Sequence, residues 1–255
     1  MISDSQALQE QAPERKRRSR RPVHANPAKT NRHPRANGSR VGFATRLPIA
    51  EAVRALVDHD VERTFELADQ VLSQTGSRLA VIGDLLYPAQ LELSDLWYSG
   101  AVTAWQEVEA ARVVRQVIDK LPSTPSRNPV ARGLRCVLAT LPTDSDDLDM
   151  RMLALGLEDD GWEVELHSPT QPLGEWVRSA SRRPTRLLAL SVALPPPSTR
   201  LLTQIVDTAH RERTPVLVGG VAFARLASLR DRIGAEAYGP DVRTGCVLAR
   251  RLVRR

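Results

Sequence analysis

Apolar residues recur at helical spacing along residues 46–121. This pattern predicts four helices: residues 48–57, 61–73, 78–98 and about 104–120. Four helices joined by short turns predict an antiparallel bundle. The inward stripe of the second helix is expected at Val61, Phe65, Ala68, Val71 and Leu72. That of the fourth helix is expected at Val108, Ala111, Val114, Val117 and Ile118.

Glycine, proline and N-cap residues predict where these helices begin and end. Gly76 followed by Ser77 predicts a helix stop and then an N-cap, and Thr103 predicts the cap of the fourth helix. Pro88 lies inside the third helix, where its ring and missing N–H predict a kink or a break one turn earlier. Residues 122–132 hold three prolines and two serines and are predicted to be a linker.

The periodicity changes over residues 133–255. Short apolar or alternating runs predict five strands, at residues 134–140, 162–166, 186–192, 214–219 and 236–238. Helices are predicted between and after them, at residues 149–160, 173–181, 197–211, 223–229 and 242–254. This alternation predicts a doubly wound α/β domain with a parallel sheet and helices on both faces. Ligands of such sheets bind outside the carboxyl ends of the strands.

Charge is divided unevenly along the chain. Residues 1–45 carry ten Lys or Arg and three acids, a net +7, so the remaining 210 residues carry −1 of the total +6. This polar, basic tail is predicted to be disordered, because it lacks apolar residues to offset its ordering entropy. Its residues 15–40 allow contact with nucleic acid or an acidic protein surface, with a merely solubilising tail as the alternative.

Several classes of protein are disfavoured by the sequence. Cys136 and Cys246 are too few for a disulfide framework, and no Cys-x-x-Cys pair suggests zinc. The first twenty residues hold no apolar stretch and no run of about 18 apolar residues occurs, which predicts a cytoplasmic protein without a membrane span. No Ser-His-Asp constellation, Walker loop or strand-linked Gly-x-Gly-x-x-Gly motif is present, so we expect no enzymatic activity.

Two segments carry a resemblance to a known family. Residues 86–97, ending in Trp97, and Glu107 ten residues later resemble the helical cap of cobalamin-binding modules, although Val108 replaces the histidine that follows the glutamate there. In the α/β part, the loop at residues 142–149 stands where the family has Asp-x-His-x-x-Gly. Asp144 matches the aspartate, Asp146 replaces the histidine and Asp149 replaces the glycine.

Further matches are Ser191 at the end of the third strand and Gly219–Gly220 after the fourth. The chain is most similar to light-sensing cobalamin-dependent transcription regulators, over about residues 50–253. The resemblance implies a flavodoxin-like domain and a cobalamin site formed by Trp97, Glu107, Asp144, Asp146, Ser191, Gly219 and Gly220. In the family the loop histidine coordinates cobalt from below and the nucleotide tail enters a slot beside the Gly-Gly loop.

Each of these residues also has a structural interpretation. The two glycines suit any tight strand-to-helix turn, Ser191 can cap a helix, and a tryptophan on an apolar stripe is commonly core. The acids of residues 144–149 can bind a hard cation or complement the N-terminus of the next helix. Cobalt(III) favours nitrogen donors over the carboxylate of Asp146, so we expect any cobalamin to be held without a histidine ligand.

Three functions remain open on the sequence. The first is a non-catalytic sensory or regulatory module that binds cobalamin or a related tetrapyrrole and signals to a transcription regulator or other partner. The second is a cofactor-free interaction module of the same fold. The third is a corrinoid carrier subunit of a methyltransferase, which loss of the loop histidine disfavours.

Overall fold

A computed structural model describes residues 47–126, 131–141, 147–167, 184–193 and 199–254. Residues 45–255 form one compact unit. The predicted tail, the predicted helix at 173–181 and the predicted site residues Asp144 and Asp146 lie outside the described residues. No helix in the described ranges is long and apolar enough to cross a membrane.

The helical part begins with α1 (Ile49–Val57) and α2 (Val61–Thr75). Next come a short α3 (Arg78–Ala80), a π-helical segment (Val81–Leu86) and α4 (Tyr87–Tyr98), which follow one another without a break, and then α5 (Ala104–Lys120). The predicted four-helix bundle is confirmed, with the third rod made of three pieces. Its core includes Leu56, Leu67, Ile82, Leu85, Leu93 and Val114.

A π-helical segment lies where Pro88 predicted a kink or a break. This proline is the second residue of α4, directly after Val81–Leu86. A π-turn lets the chain absorb the missing N–H and the ring without ending the helix. The helix therefore changes its winding one turn before the proline.

The predicted stop and cap residues act as expected. Gly76 has φ 63°, the left-handed conformation of a helix C-cap, and the Ser77 side chain accepts a hydrogen bond from the Ala80 amide. Thr103 caps α5 and forms a reciprocal capping box with Gln106. Local side-chain chemistry thus fixes three of the helix ends.

The second part is a five-stranded parallel sheet. Its strands are β1 (Arg135–Thr140), β2 (Glu163–His167), β3 (Leu187–Ser191), β4 (Val216–Gly219) and β5 (Ala237–Tyr238), in the order β2-β1-β3-β4-β5. The described helices are α6 (Leu148–Asp159), α7 (Arg200–Arg211), α8 (Val221–Arg225), α9 (Ala227–Ile233) and α10 (Val242–Leu252). The predicted flavodoxin-like fold is confirmed.

Three local predictions are wrong. Val108 is 62% exposed, because it lies two residues, or about 200°, from Ala110 on the buried face of α5. Val61 is 37% exposed, because it is the first residue of α2. The single helix predicted at 223–229 is two helices, since Leu226 between them has φ −118° and ψ 78°, outside the helical range.

The bundle core continues into the α/β part. Leu148 and Met152 of α6 and Val242 of α10 belong to the same apolar cluster as the bundle helices. At one end Arg78 donates from Nε to Asp159 Oδ2 over 2.9 Å, and both side chains are buried. Asp159 also accepts hydrogen bonds from the amide and the hydroxyl of Thr124, in the predicted linker. This carboxylate of α6 is therefore bonded to both α3 and the linker.

Candidate functional site

Three residues lie side by side at the carboxyl edge of the sheet, and two of them are predicted site residues. Thr140 is in register with Ser191, and Ser191 with Gly219, across β1, β3 and β4. Neighbouring residues in register on parallel strands face the same side of the sheet. Thr140 and Ser191 are buried, and within the described ranges the Thr140 Oγ1 atom has no hydrogen-bond partner. A polar row therefore ends the sheet at the face covered by α6 and α10.

A cleft of about 200 Å³ lies between this edge and the bundle. Ser191 and Ala193 line it from the sheet side, and Leu148 and Asp149 from the start of α6. Its bundle wall is formed by Tyr87, Gln90, Leu91, Ser94, Glu107 and Ala111. We call this space the outer cleft. It brings together Ser191 and Glu107, two of the predicted site residues.

One helical stripe of the bundle was missed by the sequence analysis. Tyr87, Gln90 and Ser94 follow one another at i, i+3 and i+7 on α4, which places them on one face. The Gln90 Nε2 atom is buried and has no hydrogen-bond partner among the described residues. Polar residues at helical spacing within residues 86–97 were the signal that could have identified this wall. An orphaned amide donor at a cleft wall is suited to hold a ligand acceptor.

Trp97 and Val108 stand apart from this wall. Trp97 is partly buried against the bundle core, and its ring lies 4.7 Å from that of Tyr98. Val108 follows Glu107 but is mostly exposed, so the residue that replaces the family histidine does not share the placement of Glu107. In the described structure Trp97 therefore has the packing expected of a core residue.

A second, smaller cavity of about 30 Å³ continues inward from the outer cleft. Gly219 and Gly220 line it together with Gly239, Asp241 and Gly245. We call this space the inner slot. It corresponds in position to the slot that the resemblance implies for the nucleotide tail, and it unites the two predicted glycines.

Tyr87 and Asp149 line both spaces. The Tyr87 side chain donates a hydrogen bond from Oη to the backbone carbonyl of Pro240 over 2.9 Å. Burial, followed by the negative charges of Asp149 and Asp241, raises the pKa of the Tyr87 phenol far above its ordinary value. The phenol is therefore neutral and acts as a donor at any physiological pH.

The acidic segment before α6 is partly described. Asp147 is buried and accepts hydrogen bonds at Oδ1 from Arg115 Nη1 over 2.7 Å and from Arg151 Nε over 3.0 Å. Burial alone raises the pKa of Asp147, but the bonds to the two guanidinium groups outweigh it and hold the pKa below its ordinary value. The Asp147 carboxylate, which directly precedes α6, therefore links the bundle to α6 through Arg115 and Arg151.

The described residues give little support for a metal-binding site. In the described parts of the chain, no group of three or more His, Cys, Asp or Glu side chains could hold a metal ion. Three histidines are described, and each contacts a protein side chain. His59 packs edge-on against Trp105, His167 Nε2 lies 2.8 Å from Glu165, and His210 Nε2 lies 2.8 Å from Glu236.

A family model described as B12 binding domain matches residues 49–121. These residues form the bundle, which provides one wall of the outer cleft. The predicted resemblance to cobalamin-binding modules is confirmed. The match covers the helical part of this module. No curated protein sequence matches the chain.

Solved structures of corrinoid and cobalamin-binding proteins are similar to this chain, and the first of them shares its fold. The monomethylamine corrinoid protein of Methanosarcina barkeri superposes with a TM-score of 0.65 at 16% identity, covering 79% of this chain and 96% of that one. A cobalamin-binding protein from Desulfitobacterium hafniense DCB-2 has a TM-score of 0.45 at 20% identity, covering 80% of this chain and 98% of that one. The methanol:cobalamin methyltransferase complex MtaBC of M. barkeri has a TM-score of 0.40 at 13% identity, covering 83% and 81%.

The two spaces of the module differ in how well they fit a corrinoid. Polar side chains of Gln90, Ser94, Glu107 and Ser191 line the outer cleft and can bond to the amides of a corrin ring. The volume of this cleft lies below the roughly 300–1,000 Å³ typical of ligand pockets. The inner slot, of about 30 Å³, is far smaller than a nucleotide tail requires.

Proposed function

We propose that this protein is a non-catalytic sensory or regulatory module that binds cobalamin, or a related tetrapyrrole, in the outer cleft and signals to a transcriptional partner. The observation that carries the proposal is the buried Gln90 Nε2 atom, which has no partner in the part of the chain that the structure describes and belongs to a residue that lines the outer cleft within the B12 binding domain match. Ser191 and Glu107, both predicted from the sequence, line the same cleft.

The corrinoid would be held without a histidine from the protein. Val108 and Asp146 occupy the two positions at which the family resemblance implies histidine. The described histidines, His59, His167 and His210, do not line the outer cleft. A bound cobalamin supplies a cobalt–carbon or cobalt–oxygen bond that responds to light or redox state, while Gln90 and its neighbours would orient the ring.

Contacts around the cleft support a signalling role. Tyr87 bonds to Pro240, and Asp84 of the π-helical segment pairs with Arg243 Nε over 3.0 Å, so the bundle is held to both sides of the inner slot. These contacts hold the bundle beside the inner slot, so a ligand larger than the outer cleft would push the rest of the cleft wall outward. Occupancy would then shift the bundle relative to the sheet, which a partner protein can read as a change of surface.

The partner is proposed from charge and sequence resemblance. Residues 15–40 lie in the tail whose net charge is +7, which suits an acidic protein surface or nucleic acid. A transcription regulator is the partner expected from the similarity to light-sensing regulators. Capture of partners by the full chain and by a chain lacking residues 1–45, each with and without cobalamin, tests this part of the proposal.

The first test is an absorbance spectrum after incubation with adenosyl-, methyl- or hydroxocobalamin in the dark, followed by desalting. Retention of about one corrinoid per chain supports the proposal. Loss of all pigment with every form contradicts it and leaves the cofactor-free interaction module. Cobalt-dependent methyl transfer with a neighbouring enzyme would instead favour the corrinoid carrier.

A matched pair of variants locates the site. Gln90→Leu should weaken corrinoid binding about five- to tenfold, the loss expected for one hydrogen bond. Gln70→Leu is the control, because Gln70 is exposed on α2, away from the cleft wall. Equal affinities of the two variants would show that the corrinoid does not occupy the outer cleft. Asp146→His tests the ligand argument through a shift of the absorbance bands.

A further inference from the structure

The inner slot is too small for a ligand group. Its volume of about 30 Å³ lies far below the roughly 300 Å³ at which ligand pockets begin, whereas the nucleotide tail of cobalamin contains a bicyclic aromatic base, a ribose and a phosphate. Any tail placed there would have to separate the strand ends that form the slot walls. The structure shows why those walls resist separation.

Glycines bring the slot walls into direct contact. A Cβ atom on Gly219 would lie 3.2 Å from the Gly239 carbonyl oxygen, and one on Gly239 would lie 3.1 Å from the Gly245 Cα. A Cβ on Gly245 would lie 3.0 Å from Leu153 Cδ1. The ends of β4 and β5 and the start of α10 therefore pack backbone to backbone. Neighbouring protein atoms therefore occupy the space that side chains at these three glycines would need.

Gly220 also makes a close contact that a Cβ atom would block. It has φ 92°, and a Cβ there would lie 2.6 Å from the Val192 carbonyl oxygen and 2.7 Å from Ser191 Oγ. Gly220 precedes a helix of only five residues, α8. Its lack of a side chain therefore serves the contact between the ends of β3 and β4.

The entrance to the slot is filled as well. The Tyr87 side chain lines both spaces, is 8% exposed and is held to the α/β part through the Pro240 carbonyl. Asp149 lines both spaces from the first turn of α6, at the position where the family resemblance implies glycine. A tail passing from the outer cleft into the slot must displace both side chains.

Charge also opposes a nucleotide tail. Asp149 and Asp241 line the slot, and the described lining includes no Lys or Arg to neutralise a phosphate. The Asp241 carboxylate caps α10 by accepting from the Thr244 amide over 2.7 Å and from the Thr244 hydroxyl over 2.8 Å. The end of this helix is thus already satisfied by a carboxylate, which would repel a second anion.

We propose that the protein binds corrinoids with the nucleotide tail outside the α/β domain, so that it selects the corrin ring and is indifferent to the tail. Tail-less cobinamide then binds as tightly as cobalamin. A cobalamin held in this way would carry its own nitrogen base, so the site would not require the loop histidine that Asp146 replaces. This inference rests on the proposed function, since it concerns how the same corrinoid is held.

The test compares hydroxocobalamin with aquacobinamide on the full chain. Dissociation constants are measured by titration, and the cobalamin sample is then reduced to the cobalt(II) state for electron paramagnetic resonance. We expect the two constants to agree within about threefold and the spectrum to show splitting from the benzimidazole nitrogen. Cobalamin that binds more than tenfold more tightly than cobinamide, or loses that splitting on binding, overturns the inference while leaving the proposed function intact.

Failure of both corrinoids to bind contradicts the proposed function and, with it, this inference. Asp149→Gly provides a second measurement, because it removes one side chain from the slot entrance. The variant should raise the preference for cobalamin over cobinamide, whereas the exposed Asp69→Gly control on α2 should leave that ratio unchanged. An unchanged ratio in Asp149→Gly would show that the entrance does not control tail entry.

Discussion

Tyr87 and Pro240 are 153 positions apart in the chain, and the phenol of the first donates a 2.9 Å hydrogen bond to the carbonyl of the second. This bond links the start of α4 in the bundle to the turn between β5 and α10. It crosses the boundary between the outer cleft and the inner slot. The same residue therefore joins the two parts of the protein and closes the path between the two spaces.

Tyr87→Phe should reduce the free energy of unfolding by about 0.5–1.5 kcal/mol, the net contribution of a hydrogen bond, because the ring still packs while the carbonyl loses its donor. The measurement is urea unfolding followed by circular dichroism. Tyr98→Phe is the matched control, since Tyr98 is 48% exposed and its ring contact with Arg225 does not need the hydroxyl. Equal loss in both variants would contradict a linking role for Tyr87.

Arg78→Met should destabilise the fold by about 3–5 kcal/mol, the cost of leaving one partner of a buried ion pair without its counterion. Arg78 and Asp159 have side chains only 5% and 8% exposed. Arg63→Met removes a pair with Glu51 in which the side chains are 39% and 40% exposed, and it should destabilise the fold clearly less because solvent screens this pair. Chemical unfolding of both variants measures the difference, and similar losses would contradict the importance of burial.

Stability should fall in acid through Asp147. Its folded-state pKa lies below the ordinary carboxyl value, so the stabilisation is complete above the unfolded pKa of about 4 and is lost as pH falls through the folded pKa. The free energy of unfolding of Asp147→Asn should therefore depend less on pH below about 4 than that of the wild type. Unfolding curves between pH 7 and pH 3 test this. Parallel pH profiles would contradict it.

Gly220→Ala should destabilise the protein more than Gly100→Ala. Both glycines have positive φ, 92° and 76°, which strains an L-residue, and the ψ of 167° at Gly220 places it in a region that is essentially restricted to glycine. Only Gly220 has backbone within 3.0 Å of the added Cβ, whereas Gly100 has nothing within 4 Å. Thermal unfolding of the two variants gives the difference, and equal melting temperatures would show that the ends of β3 and β4 can separate easily.

Local patterns were sufficient for most of the secondary structure. The i, i+3/i+4 stripes, the Gly76–Ser77 pair, the Thr103 cap and Pro88 each act within one or two helical turns, so their effects can be predicted from neighbouring residues alone. The same periodicity failed at Val108. Which of several apolar residues on a helix faces the core depends on the partner helices, and Ala110 rather than Val108 occupies that face.

For the predicted site, the sequence by itself determined where β3 and β4 end, and therefore that Ser191, Gly219 and Gly220 are neighbours. Strand periodicity predicts the strand ends, and the parallel fold places them at one edge of the sheet. Only the tertiary structure decided what fills that edge. The contacts of Tyr87 with Pro240, of Asp147 with Arg115 and of Gly219 with Gly239 join residues far apart in the chain. No local pattern encodes them, since they arise when the bundle and the sheet are packed together.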